Sequence, residues 1–182
     1  MDYSLLSNYD SHFFLENYTD SDTVPSTGTF ELNGVTDCGV GEISKDVKTY
    51  RTLNGNGWES VASLGQSISE FDINLVREGT GDAYDGTAGS TTYTKLKKWV
   101  LDAVAHGGSN APRCLIEVIP RGNNTYEGNC YYVYPSKWNG GKKDTETGQE
   151  YNITVKPFGP LVPITVTKST SGGTTTWSFT KI

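Results

Sequence analysis

The stretch Val47-Lys-Thr-Tyr-Arg-Thr-Leu-Asn-Gly-Asn-Gly-Trp-Glu-Ser60 decides the fold class of this chain. It places two Asn-Gly pairs between two strand-like runs. A tight hairpin turn of type I′ requires positive φ angles at both central residues, and Asn and Gly tolerate that backbone conformation best. We therefore predict a β-hairpin whose turn consists of Asn54, Gly55, Asn56 and Gly57.

A third run, Phe71-Asp-Ile-Asn-Leu75, follows the hairpin and alternates apolar with polar residues. Alternation with period two places one side of a strand in the core and the other in water. We predict three consecutive antiparallel strands over residues 47–77. The water-facing side of the third strand carries Glu70, Asp72 and Asn74, so it is acidic.

The composition favours a single β-rich domain. A length of 182 residues suits one domain with an extended arm, and 21 glycines without a strict period, together with 12% aromatic residues, favour a turn-rich β protein. The formal charge of −6 argues against a tightly held nucleic-acid backbone, because such binders usually carry basic patches. A surface past which DNA slides without binding stays compatible with this charge.

The sequence shows no recognisable export signal and no CxxC motif. The start Met1-Asp-Tyr-Ser4 has no basic region followed by an apolar stretch, and no window approaches the ~20 apolar residues that span a bilayer. We therefore expect no standard export signal and no membrane association. The three cysteines, Cys38, Cys114 and Cys130, lack CxxC spacing and are expected to be small buried or half-buried thiols. A disulfide between Cys114 and Cys130 is the alternative, although a protein in a reducing cytoplasm does not need one.

Residues 1–29 form a polar segment rich in Ser, Asp and Thr. The segment is too polar to build its own core, yet too aromatic for a plain solvated linker. A disordered N-terminus is one interpretation. We favour an arm that becomes ordered by packing on a neighbour. The candidate packing residues of this arm are Tyr9, Phe13, Phe14, Leu15 and Tyr18.

One helix is predicted over about residues 91–106, after a Gly-rich loop at 78–90. Ser90 or Thr91 caps its start and Gly107-Gly108 ends it. An apolar face recurs at helical spacing, so the helix should cover the sheet. This face consists of Tyr93, Leu96, Val100, Ala103 and Val104.

Further strands are expected after the helix. They cover residues 113–119, 129–134 ending at Pro135, and 151–156, with a C-terminal hairpin of residues 164–168 and 175–180 and a polar loop at 137–148. The predicted fold class is mostly β (α+β). We expect a β-sandwich or barrel of about eight antiparallel strands over residues 30–182, flanked by one helix and preceded by the arm.

The sequence lacks a recognisable catalytic set. His12 and His106 are the only histidines and neither has metal-ligand spacing. Nucleophile-elbow and phosphate-loop motifs are missing. A carboxylate pair for glycoside hydrolysis can be drawn from Glu59, Glu70, Asp72 or Glu117, but any acidic β protein offers such candidates. We expect no enzyme, no metal and no cofactor. A carbohydrate-binding module is an alternative in which exposed aromatic residues stack on sugars, namely Trp58, Trp138, Tyr131, Tyr132 and Tyr134.

The order of the elements resembles a known family. An arm leads into Val47-Lys-Thr-Tyr-Arg-Thr-Leu, the Asn54-Gly-Asn-Gly turn, Trp58-Glu-Ser and Ser67-Ile-Ser-Glu-Phe-Asp-Ile. A Gly-rich loop, one helix and several strands follow, among them residues 148–157. From about residue 30 to the C-terminus, the chain resembles the major tail proteins, or tail tube proteins, of long-tailed bacteriophages.

The resemblance implies a structural subunit that forms hexameric rings. Such rings stack into a hollow tube around a tape-measure protein, with a tail terminator and distal tail proteins as further partners, and DNA passes transiently and non-specifically through the lumen. The resemblance therefore implies a location in the virion tail, and in the host cytoplasm during assembly. The alternative within this biology is a tail terminator or another single-ring component of the same fold.

The resemblance also suggests roles for named residues. The lumen-facing candidates are Glu59, Glu70, Asp72 and Asn74. The hairpin that contacts neighbours within a ring contains Tyr50, Arg51, Asn54, Gly55, Asn56, Gly57 and Trp58. The candidates for contacts between rings are Tyr9, Phe13, Phe14, Leu15 and Tyr18 of the arm, together with the loops 78–90 and 137–148.

Overall fold

A computed structural model describes residues 11–39, 43–51, 59–77, 92–105, 112–141, 143–144 and 148–182. Side chains are described outside positions 45–51, 59–66, 104–105, 143–144 and 148. The predicted Asn54–Gly57 turn and the loop at 78–90 lie outside the described residues. So do Tyr9 and Trp58.

The described part contains eleven strands and one helix. The strands are β1 (His12–Asn17), β2 (Val35–Cys38), β3 (Ile43–Arg51), β4 (Glu59–Ile68), β5 (Phe71–Val76), β6 (Arg113–Gly122), β7 (Thr125–Asn139), β8 (Lys143–Asp144), β9 (Gly148–Pro157), β10 (Val162–Ser171) and β11 (Thr174–Lys181), and the helix α1 spans Thr92–Ala105. None of the described helical residues forms a segment long and apolar enough to cross a bilayer.

The main sheet has two halves that share β7. Its strand order is β1-β6-β7-β9-β5-β2, with β10 also paired to β7 and β11 paired to β10. The first half of β7 pairs with β10, where Tyr126 lies opposite Val166. The second half pairs with β9, where Asn139 lies opposite Asn152. All of these strand pairs are antiparallel, and the sheet does not close into a barrel. The predicted fold class, mostly β with one helix, is confirmed.

Two apolar cores lie on opposite faces of β6 and β7, because these strands alternate side chains between both faces. The first core lies under α1 and includes Leu15, Ile73, Leu96, Leu115, Tyr131, Val133, Tyr151, Ile153 and Val155. The second lies under β10 and β11 and includes Phe14, Cys114, Ile116, Val118, Cys130, Tyr132, Val162, Ile164, Trp177 and Phe179.

The predicted helix and the predicted C-terminal hairpin are both present in the structure. Within α1, Leu96 and Val100 are buried in the first core as expected. Trp99, which we did not assign to the apolar face, is also buried. The C-terminal hairpin turns through Gly172 and Gly173 with φ angles of 58° and 82°. These positive angles are those of a type I′ turn, which Gly adopts without steric cost.

The three strands predicted between residues 47 and 77 exist, but they do not form one meander. Strands β3 and β4 pair with each other as a separate two-stranded sheet. Strand β5 instead joins the main sheet between β9 and β2. The reason is its apolar side: Ile73 lies opposite Ile153 and Leu75 opposite Tyr151, so pairing with β9 buries all four side chains in the first core.

Strand β7 continues through Pro135, where we expected it to end. The register between β7 and β9 shifts between Pro135 and Lys137. The residue without a partner at this shift is Ser136, and Pro135 lies directly beside it. Prolines within sheets are found at bulges and at strand edges, where the missing N–H is tolerated. The strand then continues to Asn139, and β8 follows. Part of the predicted polar loop at 137–148 is thus sheet.

The segment 12–29 is integrated into the subunit's own fold, which revises the predicted separate arm. Strand β1 pairs with β6 along its whole length, from the pair His12–Val118 to the pair Asn17–Arg113. Phe14 and Leu15 are buried, each in a different core. These side chains therefore pack within the chain, because β1 has apolar residues toward both faces of a sheet that is covered on both sides.

Candidate functional site

The exposed side of β5 belongs to a larger polar surface on the main sheet. Asp72 and Asn74 point away from the core, because Phe71, Ile73 and Leu75 are buried. The neighbouring strands add polar side chains in register on the same side. We call this surface the polar face; it consists of Asp37, Glu70, Asp72, Asn74, Tyr134, Lys137, Asn139, Glu150, Asn152, Thr154 and Lys156.

One row of the polar face crosses four strands. Asp37 of β2 lies opposite Asn74 of β5, Asn74 lies opposite Asn152 of β9, and Asn152 lies opposite Asn139 of β7. The Asn74 Nδ2 atom donates a hydrogen bond of 3.3 Å to Asp37 Oδ2. Three amides and one carboxylate thus form a row that offers both hydrogen-bond donors and acceptors to water.

The carboxylates of Asp72 and Glu70 each accept a hydrogen bond from a hydroxyl group on another strand. Thr154 Oγ1 donates to Asp72 Oδ1 at 2.5 Å, and Ser136 Oγ donates to Glu70 Oε1 at 3.2 Å. These bonds orient the two carboxylates while leaving both side chains exposed. The predicted residues Glu70, Asp72 and Asn74 are therefore brought together on one surface. The Glu59 side chain lies outside the description.

The net charge of the polar face is modestly negative. Four carboxylates, those of Asp37, Glu70, Asp72 and Glu150, stand against the two ammonium groups of Lys137 and Lys156. The difference is two negative charges per chain. An open groove of about 400 Å³ lies at one end of the face, and its polar lining includes Asp37, Asn74, Asn139 and Asn152.

Sequence reasoning missed the contributions of β2, β7 and β9 to this surface. The alternation Tyr151, Asn152, Ile153, Thr154 was visible as a strand with one wet side. Its neighbour was not visible, because the register of paired strands is set by contacts between distant residues. The signal that could have found the surface was the matching period-two pattern in β5 and β9.

The predicted hairpin is present as β3 and β4. The two strands pair from Ile43–Ile68 to Arg51–Glu59, with a register shift after Asp46. Among the described elements, these two strands pack closely only on each other. At the base of the hairpin Ile43 is exposed, while Ile68 packs against the first core. The side chains of Tyr50 and Arg51 lie outside the description.

Two edges of the main sheet are open within the described residues. Strand β2 pairs with β5 on one side only. Strand β7 pairs with β9 from Val133 to Asn139, whereas its pairing with β6 ends at Val133. Both edges border the polar face. Unpaired strand edges present free N–H and C=O groups, so they are templates for pairing with another chain.

The arm residues predicted to contact another ring differ in their exposure. Phe14 and Leu15 are buried and Phe13 packs against the first core. Tyr18 is half-buried and forms an edge contact with Tyr132 at 5.5 Å between ring centroids. Within the described residues of this set, Phe13 and Tyr18 are therefore half-buried, whereas Phe14 and Leu15 are buried.

The structure describes four of the five aromatic residues considered for sugar stacking, and two of these four are buried. Tyr131 and Tyr132 are buried in the two cores, and Trp138 packs against the first core with its ring 5.4 Å from that of Tyr151. Among the four members that the structure describes, Tyr134 is exposed, at 39% of its surface. The expectation that Tyr131 and Tyr132 are exposed is therefore wrong, and Trp58 lies outside the described residues.

The three cysteines are free thiols, of which Cys38 is half-buried and Cys114 and Cys130 are buried. Burial, followed by the nearby carboxylates of Glu117 and Asp37, raises the pKa of the Cys38 thiol to about 12. Cys114 and Cys130 are free, buried and in contact, and the hydrogen bond between them lowers the pKa of Cys114 and raises that of Cys130. Within the described residues, no cluster of three His, Cys, Asp or Glu side chains is placed to hold a metal ion.

Comparisons with known proteins show a shared fold. No protein-family model and no curated protein matches the sequence. A chain in the cryo-EM structure of the PVC sheath-tube complex, from an extracellular contractile injection system in the extended state, aligns with a TM-score of 0.60 and 11% identity over 90% of this chain and 94% of that chain. A chain in the structure of the PVC sheath/tube terminator gives a TM-score of 0.59 and 11% identity over 89% and 97%.

A third similar structure comes from a baseplate. A chain in the six-fold symmetrised cryo-EM structure of the anti-feeding prophage baseplate has a TM-score of 0.52 and 8% identity, over 84% of this chain and 89% of that chain. The chain described here therefore has the fold of components of contractile injection systems. At these identities the similarity establishes the fold alone.

Proposed function

We propose that this chain is a structural subunit of a phage-type tail tube, and that it acts by assembly rather than by catalysis. The observation that carries the proposal is the similarity of almost the whole chain to a chain of a sheath-tube complex and to one of a sheath/tube terminator. Each alignment covers at least 94% of the other chain, so the likeness extends beyond a common sheet motif.

The open edges support assembly into closed rings. A ring of identical subunits with rotational symmetry requires a heterologous interface, in which one patch of a subunit binds a different patch on the next subunit. The edges of β2 and of the second half of β7 are two such different patches at opposite ends of one half-sheet. Strand pairing between them would satisfy backbone groups that have no strand partner among the described residues. The β3–β4 hairpin would reach across the same boundary.

The polar face is the surface that we assign to the lumen of a hexameric tube. Both open edges border it, so ring closure through them would make the polar faces of all copies continuous. With two net negative charges per chain, six copies place about twelve on each ring of the lumen, which disfavours lasting contact with DNA phosphates. A tape-measure protein during assembly and DNA during ejection are the proposed passengers.

A terminator is the second candidate, because one similar structure contains a sheath/tube terminator. The two roles differ in stacking: a tube subunit polymerises, whereas a terminator stops at one ring. The proposal covers tails with and without a contractile sheath. In either role the protein would reside in the tail particle and meet the terminator or distal tail proteins at the tube ends.

Negative-stain electron microscopy of the purified chain tests this function. Tubes support the tube subunit, isolated rings support the terminator, and a monomer at every concentration contradicts both. A shortened hairpin, with residues 49–61 replaced by Asn-Gly, should remain folded and lose ring formation. The matched control replaces residues 170–175 of the β10–β11 hairpin by Asn-Gly and should assemble normally.

A further inference from the structure

Residues 26–32 cover the outer edge of β1 as an additional strand-like partner. The Leu15 N–H donates to the Phe30 carbonyl oxygen at 2.9 Å, and the Leu32 N–H donates to the Phe13 carbonyl oxygen at 2.7 Å. Phe14 and Glu31 form an antiparallel bridge between these two bonds. The edge of β1 that faces away from β6 is therefore already paired within the chain.

The same segment also pairs with the outer edge of β11. The Gly28 N–H donates to the Trp177 carbonyl oxygen at 3.0 Å, and the Phe179 N–H donates to the Ser26 carbonyl oxygen at 2.9 Å. Thr27 and Ser178 form the bridge. One short segment thus covers two different strand edges, at the side of the sheet remote from β2.

A buried carboxylate holds the segment in place. Glu16 is 7% exposed, and its Oε1 atom accepts hydrogen bonds from the Thr29 N–H at 2.5 Å and from the Phe30 N–H at 2.8 Å. Its Oε2 atom accepts from the Thr29 hydroxyl at 2.6 Å. Hydrogen bonds to an ionised acceptor are roughly twice as strong as neutral ones, so this group fixes the middle of the segment.

The segment also fits closely against the second core. A Cβ atom at Gly28 would lie 2.7 Å from two carbons of the Phe14 ring and 3.1 Å from the Phe179 ring. Real Cβ atoms do not approach carbon so closely, so the path between β1 and β11 admits glycine there. On the other side, Lys95 Nζ lies 3.9 Å from the centre of the Phe30 ring.

We infer that residues 26–32 form an intramolecular edge cap, positioned by Glu16, which blocks a second strand-pairing surface at β1 and β11. The occupant that the cap excludes is a strand of a second copy of this chain. Long unpaired edges pair with other chains, and proteins commonly cover them to prevent it. The inference concerns the single folded chain and holds whether or not the chain forms tubes.

Hydrogen exchange of the variant Glu16→Gln tests the positioning role. The amide keeps one acceptor oxygen for the Thr29 and Phe30 N–H groups and can donate to the Thr29 hydroxyl oxygen, so the substitution removes the negative charge at nearly constant volume. We expect the amides of Leu15, Gly28, Leu32 and Phe179 to exchange roughly 10- to 100-fold faster, as expected for the loss of a charged hydrogen bond. Peptides of β6 and β9 should keep their protection. Unchanged exchange at all four amides would overturn the inference.

A matched control and an association assay complete the test. Glu31→Gln removes a carboxylate from the same segment, one that is partly exposed and bound to His12, and should leave the Gly28 and Phe179 amides protected. In sedimentation velocity, Glu16→Gln should form larger species than wild type and Glu31→Gln should not. Equal size distributions for all three proteins would refute the blocking role. If Glu16→Gln does not fold, Thr29→Val, which lacks one donor, is measured instead, with the same direction of change expected.

Discussion

Two adjacent tyrosines should respond in opposite directions to the same substitution. Tyr131 and Tyr132 are neighbours on β7 with exposed fractions of 3% and 1%, and they point into different cores. The Tyr131 hydroxyl donates to Glu117 Oε2 at 3.1 Å. The Tyr132 hydroxyl is buried without a hydrogen-bond partner among the described residues. Changing each to phenylalanine removes one oxygen and keeps the ring.

The magnitudes follow from the two environments. Burial, followed by the charge of Glu117, raises the pKa of Tyr131, so its hydroxyl stays protonated and keeps donating at any working pH. A hydrogen bond to a charged group contributes about 1.5–3 kcal/mol, so Tyr131→Phe should lower the free energy of unfolding by about 2 kcal/mol. Tyr132→Phe removes a buried unsatisfied group and should raise it by about 1 kcal/mol.

Urea unfolding of the dispersed chain, followed by tryptophan fluorescence, measures both changes. The expected difference between the two variants is about 3 kcal/mol, which corresponds to a midpoint separation of about 1.5 M urea for a slope near 2 kcal/mol/M. Because both variants carry the same substitution in the same strand, contributions of the unfolded state largely cancel. Equal midpoints, or a Tyr132→Phe variant less stable than Tyr131→Phe, would refute the assignment of the two hydroxyls.

Three further predictions concern the sheet, the polar face and a thiol. Gly128→Ala places a Cβ 2.5 Å from the Glu117 carbonyl oxygen and should lower stability by about 1–3 kcal/mol in urea unfolding; an unchanged midpoint would contradict this contact. Reversing Glu70 and Asp72 to lysine changes the polar face from two net negative to two net positive charges, so assemblies should retard DNA in gels at low salt and release it at high salt, which wild type should not do. With its pKa raised to about 12 by burial, Cys38 carries thiolate only in strong alkali, so iodoacetamide at pH 8 should modify it much more slowly in the folded than in the unfolded protein.

Local pattern was sufficient to predict several elements. The alternation of Phe71, Ile73 and Leu75 placed their side chains on the buried side of β5, and Gly172-Gly173 marked the C-terminal turn. Both signals are carried by residues next to each other in sequence. The strands that pair with β5 could not be predicted, because Ile73 lies opposite a residue 80 positions away in sequence. Many other strands of the chain could equally have paired with β5 and buried its apolar side.

The N-terminal segment shows a second limit of sequence reasoning. Phe14 and Leu15 stand among polar residues, so composition alone indicated a segment without a core of its own. Their burial depends on β6, about 100 residues later, and on Glu16, whose burial is compensated by hydrogen bonds from Thr29 and Phe30. A carboxylate in a polar segment gives no sequence signal that it will be buried and bonded.

The candidate site was predictable in part. Glu70, Asp72 and Asn74 were correctly grouped on one water-facing side. The row that joins Asn74 to Asn152 requires the register of paired strands, which only the tertiary structure supplies. The assignment of this surface to a lumen remains part of the proposed function.

A cryo-EM map of the assembled chain tests the central claim most directly. We predict six-fold rings in which the β2 edge of one copy meets the second half of β7 of the next, with Asp72 and Asn152 facing the channel. A chain that stays monomeric, or rings in which the polar face lies on the outside, would contradict the account.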